Sequence, residues 1–74
     1  NEGLLVQYVD KKPGDLAFFE NSSGKLTHVG IVGPKHQIIH AAGFVKIDLL
    51  TVEGIWNEKY NRQTHKLAQI RRVL

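Results

Sequence analysis

Seventy-four residues carrying a formal charge of +3 and no cysteine leave room for one small domain, unstapled by disulfides and marginal in its own core. The cysteine count fits a cytosolic chain and a bridge-free exported one equally well. The excess charge gathers late, in Lys59, Arg62, Lys66, Arg71 and Arg72, with no ladder of aromatics between the charges, which argues for a solvated basic face and not a nucleic-acid groove. No apolar run approaches the ~20 residues that a membrane-spanning helix needs, and no charged-then-apolar leader is visible. The first residue is Asn1, not methionine, so a preceding segment is expected.

The opening stretch Gly3 to Val9 is apolar and reads equally as a strand or the remnant of a helix. Turn signals then fall at Lys12-Pro13-Gly14, Asn21-Ser22-Ser23-Gly24, Gly33-Pro34 and Ala42-Gly43, each combining residues that preset or permit turn dihedrals. Between them lie Leu16–Glu20, Leu26–Val32, Gln37–Ala41 and Val45–Leu50, short runs rich in β-branched and aromatic residues. Such spacing predicts a meander of antiparallel strands. Val45, Ile47 and Leu49 alternate with polar partners and are expected to form a buried face. Residues 56–62 are polar and read as a helical turn or loop. His65 to Val73 returns to strand, with Leu67, Ile70 and Val73 as anchors and a bulge where the period slips between Leu67 and Ile70. Phe18, Phe19 and Trp56 read as core. The fold class is therefore mainly β: about five short antiparallel strands in a small curved sheet or partial barrel, with little helix to cover it.

Two of the four histidines, His28 and His40, lie in successive predicted strands. A hairpin centred on Pro34 would set them directly opposite, with Cβ atoms about 5 Å apart. Any register that keeps their side chains on one face keeps the imidazoles together; a one-residue slip separates them. One ring could act as general base and acid, and the other could orient it through a ring-nitrogen hydrogen bond. Gly30, two residues beyond His28, would leave room beside the ring for substrate or an attacking group. Two half-buried structural histidines are the plainer alternative. A zinc site would need a third ligand such as Asp15 or Asp48, and a metal is not expected. His36 and His65 read as solvated.

Three strings in order carry a resemblance. Pro13-Gly14-Asp15-Leu16-Ala17-Phe18-Phe19, then Thr27-His28-Val29-Gly30-Ile31-Val32-Gly33, then Ile38-Ile39-His40-Ala41, with the second histidine twelve positions beyond the first, resemble the core of the NlpC-type papain-like cysteine peptidases. Tyr60 to Leu74 is similar to the closing strand of those domains. The resemblance implies an α+β parent domain of which residues 1–74 are the C-terminal β-sheet part, the helical part with the nucleophile lying upstream. It makes His28 the general base, His40 its orienter, Gly14 and Asp15 a structural turn, and Thr27 part of the substrate cleft. The implied activity is thiol hydrolysis of peptidoglycan stem peptides, at the bond between γ-D-glutamate and diaminopimelate or another diamino acid, without metal or organic cofactor. It further implies bacterial cell-wall peptides as partners, a periplasmic, cell-wall or secreted location with cytoplasmic peptide recycling as the alternative, and association with the upstream part or with a second copy. The chain departs from the family pattern in having no cysteine, so it would be inactive alone.

A different class of function stays open on the same strands: a non-catalytic SH3-like barrel that binds cell-wall peptides or proteins. Nucleic-acid binding through Arg62, Lys66, Arg71 and Arg72 is the weakest of the readings.

Overall fold

A computed structural model describes residues 3–41 and 43–73 of the chain. Ala42, half of the expected Ala42-Gly43 turn, lies outside the described residues, as do Leu74 at the end of the expected closing strand and the first two residues. Among the described residues seven strands follow one another: β1 (Leu4–Val6), β2 (Leu16–Glu20), β3 (Leu26–Val32), β4 (Gln37–Ala41), β5 (Val45–Leu50), β6 (Gly54–Asn57) and β7 (Arg62–Arg72). A single 3-10 turn, Tyr8–Asp10, separates β1 from β2, and no α-helix occurs among the described residues.

The strands run antiparallel in the order β1-β7-β2-β3-β4-β5-β6, and β6 pairs back onto β7. Six strands thereby close into a barrel, with β1 added outside on β7. Closure removes the open edges that a free sheet would present. It depends on the length of β7: Arg62–Lys66 pairs with β6, and Lys66–Arg71 pairs with β2. Gly54 makes that hand-over, because a Cβ there would collide with the carbonyl of His65.

The four strands from Leu16 to Leu50 fall on the residues expected of them. Residues 56–62 differ: Gly54–Asn57 is a strand, and only 58–61 form a turn, with Asn61 at φ 55°. The bulge expected between Leu67 and Ile70 is present, since Phe18 pairs with Gln69 and Phe19 with Leu67, leaving Ala68 over. Two more occur, at Thr27 between β2 and β3 and at Thr64 between β6 and β7.

Inside the barrel pack Ala17, Phe19, Val32, Ile38, Leu50, Ile55 and Ile70. The alternation in β5 is real, but its faces are the reverse of the expectation. Val45 and Ile47 are 71 % and 59 % exposed, and Lys46, Asp48 and Leu50 turn inward. The cause is polar pairing at that end of the barrel, where Asp48 meets partners from two neighbouring strands. Val73 is also exposed, not an anchor. Phe18 and Trp56 are half-buried, leaving Phe19 as the aromatic of the core.

The loop between β3 and β4 closes at Lys35 and His36, both at positive φ (53° and 62°). The hairpin is therefore centred on Lys35, one residue beyond Pro34. Gly30, not His28, faces His40. The two histidines are diagonal neighbours on the same inner face.

Candidate active site

The diagonal offset still brings the rings into hydrogen-bond contact. Nε2 of His28 lies 2.9 Å from Nδ1 of His40, with the ring planes nearly perpendicular at 87°. A second diagonal step, from β4 to β5, puts Nε2 of His40 2.7 Å from Oδ2 of Asp48. From β5 to β6 the step is straight across, in the register Leu49↔Trp56 and Leu50↔Ile55, and sets Nδ2 of Asn57 3.3 Å from Oδ1 of Asp48. The amide oxygen of Asn57 accepts the backbone N–H of Tyr60 at 2.8 Å. Four adjacent strands thus each supply one member of a hydrogen-bonded row. Its middle is shielded from water, with His40 only 4 % exposed.

His28 stands at the open end of this row. Its ring stacks on that of His65 from β7, with centroids 4.2 Å apart and planes 23° from parallel. Phe19 lies beneath both rings, its centroid 5.8 Å from His28 and 6.0 Å from His65. His65 is accordingly half-buried, not solvated as expected. The bulge at Thr64 resets the side-chain alternation of β7 and turns this histidine inward. The Thr64 hydroxyl lies 2.9 Å from its Nδ1.

Every buried side-chain nitrogen and oxygen among the described residues has a partner. Nδ1 of the half-buried His28 has none among those residues, so this atom reaches solvent. Two shallow depressions adjoin the stacked pair, one reaching His28 and the other His65. One, of about 550 Å³, is lined by Phe18, Leu26, Thr27, His28, Val29 and Ala41. The larger, about 770 Å³, lies between the Asn21–Gly24 loop and the start of β7, with His65 on its wall. Thr27 lines both, at the bulge that projects it from the β2–β3 ladder. Gly30 lines neither. The space beside its α-carbon is filled by Ile38, whose Cγ1 and Cδ1 would stand 2.9 Å from an added Cβ. Its missing side chain serves barrel packing and opens no cleft.

Partial burial lowers the pKa of His28 below the ordinary 6.5, and the nearby His40 and Lys46 lower it further. His65 is lowered in the same way, first by burial, then by His28, His40 and Lys46, with Asp48 opposing. A ring kept neutral chiefly by burial can accept a proton near neutral pH. Among the described residues, no group of three or more His, Asp or Glu side chains is arranged to hold a metal ion. Asp15 is remote from the histidine row: its carboxylate takes two hydrogen bonds from Arg72 and one from the Lys12 N–H. Asp48, weighed from the sequence only as a metal ligand, is instead a hydrogen-bond partner of His40, and Asn57 carried no sequence signal at all.

No protein-family model, curated protein or solved structure matches this chain.

Proposed function

We propose that His28 is the general base and acid of a cysteine peptidase that hydrolyses peptidoglycan stem peptides, with His40 as its orienter. The target is the γ-D-glutamyl bond to diaminopimelate or a related diamino acid, and the attacking thiolate comes from a cysteine outside these residues. The observation that carries the reading is the 2.9 Å contact between His28 Nε2 and His40 Nδ1, which leaves Nδ1 of His28 facing solvent. It stands within the three strings that resemble the NlpC-type peptidases.

In this reading the thiol proton passes to Nδ1 of His28, and the thiolate attacks the amide carbonyl. His28 then returns the proton to the departing amine, and a water activated by the same nitrogen resolves the acyl-enzyme. Thr27, on the wall of both depressions, would touch the stem peptide. The outer face of β3 and β5, with Val29, Ile31, Val45 and Ile47 exposed, suits a covering layer such as the helical part of a larger domain or a second copy. A cell-wall or periplasmic setting follows from the substrate.

The test is hydrolysis of L-Ala-γ-D-Glu-diaminopimelate by the product of the complete reading frame. His28→Ala should lower turnover at least about 100-fold, the usual scale of general acid–base catalysis. A reading frame without any cysteine, or a His28→Ala protein with full activity, would sink the proposal.

Barrel closure favours a second reading, a non-catalytic module, because six strands sealed through β6 and β7 are the architecture of small binding barrels. It predicts saturable stem-peptide binding, followed by NMR, that His28→Ala leaves unchanged.

A further inference from the structure

The row of hydrogen bonds behind His28 has a direction, and its direction starts from a group that cannot reverse. A backbone N–H only donates, so the Tyr60 N–H at 2.8 Å fixes the near atom of the Asn57 amide as its oxygen. The Asn57 NH2 must then point at Asp48 Oδ1, 3.3 Å away. A carboxylate has no proton to give, so Asp48 Oδ2 accepts from Nε2–H of His40. Neutral His40 is thereby left with a bare Nδ1, which accepts Nε2–H from His28. The lone pair of His28 is consequently placed on Nδ1, the atom that reaches solvent.

We infer that Asp48 and Asn57 are positioning residues that select the tautomer of His28 through His40 and so aim its basic nitrogen outward. The catalytic consequence rests on the peptidase reading above; the tautomer assignment does not. Neither residue need touch substrate, since both act through the buried His40 ring.

Asp48→Asn tests this without changing the size of the side chain. The Asn57 NH2 would still donate to the oxygen at position 48, which turns the new amide NH2 toward His40. His40 Nε2 must then be bare, its proton moves to Nδ1, and His28 is forced to carry its proton on Nδ1 instead of Nε2. The row runs backward and the base is blocked. Asp48→Asn combined with Asn57→Asp should repair it. The carboxylate at 57 accepts both the Tyr60 N–H and the NH2 at 48, leaving the amide oxygen to accept from His40 as in the native chain.

Ring-nitrogen shifts of 15N-labelled protein report which nitrogen carries the proton, measured at about pH 8, above the ordinary histidine value of 6.5. The native chain and the double variant should show Nε2–H on His28, and Asp48→Asn should show Nδ1–H. In the full-length peptidase assay, Asp48→Asn should lower kcat/KM by about 100-fold or more, with recovery in the double variant. A native His28 protonated on Nδ1, or an Asp48→Asn protein that keeps Nε2–H, overturns the inference. Tautomer reversal and repair in a protein that hydrolyses no stem peptide would support the positioning role and count against the peptidase reading alone.

Discussion

At the level of single residues, the stacked pair His28 and His65 carries a measurable pH dependence. Both are held below the ordinary pKa of 6.5, burial being the largest cause in each. In the unfolded chain each titrates near its ordinary value, so between that value and the lower folded one the unfolded state binds more protons. Stability is then complete above about pH 6.5 and declines as the pH falls toward the folded values. The charged and titratable groups facing the pair, His40, Lys46 and Asp48, come from β4 and β5. Thermal unfolding of the chain should show a midpoint that drops between about pH 7 and pH 5. The double variant His28→Gln, His65→Gln should lose most of that slope, and a slope unchanged in the variant would refute the assignment to these rings.

At the level of strands, period was legible and direction was not. The spacing of turn residues placed the strands between Leu16 and Leu50 because glycine, proline and asparagine constrain the backbone locally. Which face of β5 turns inward is decided by tertiary partners. Asp48 finds His40 and Asn57 inside the barrel, a compensation that no local pattern reports. The His28–His40 contact survived a mistaken register because even-numbered offsets preserve the shared face. His65 was missed because the Thr64 bulge breaks the parity from which a face is read. The reversed face of β5 has a sharp consequence. Leu50, 1 % exposed, should cost about 2–4 kcal/mol when cut to alanine, whereas Ile47→Thr on the same strand should shift stability by no more than about 0.5 kcal/mol. Urea denaturation of both variants checks this, and equal losses would restore Ile47 to the core.

At the level of the whole molecule, the barrel is held by one strand that takes part in three pairings. The outer end of β7 meets the start of β2 and the whole of β1, and an ion pair between buried Asp15 and partly exposed Arg72 secures it. Asp15, 3 % exposed, receives Arg72 Nε and Nη2 on its two oxygens at 2.9 Å each and the Lys12 N–H at 2.8 Å. The turn that the sequence marks at Pro13-Gly14 therefore does more than lead into a strand: it presents a carboxylate that ties residues 57 positions apart. Arg72 hydrogen bonds hold the Asp15 carboxyl below its ordinary 3.8, with the Lys12 N–H assisting and burial opposing. Because the folded pKa is the lower one, the stabilisation is present above about pH 3.8 and vanishes as the pH falls through the folded value, well separated from the histidine window. Asp15→Ala should lower the unfolding midpoint at neutral pH, since it leaves the Lys12 N–H without its acceptor and Arg72 with the Asp10 carbonyl alone. Asp15→Asn keeps an oxygen for the Lys12 N–H and should fall between the two. Loss should appear first as faster amide exchange in β1 and the last turn-facing residues of β7, where the strands have fewest other partners. A variant whose exchange accelerates evenly around all six barrel strands would show instead that the clasp merely adds to global stability and does not secure this seam.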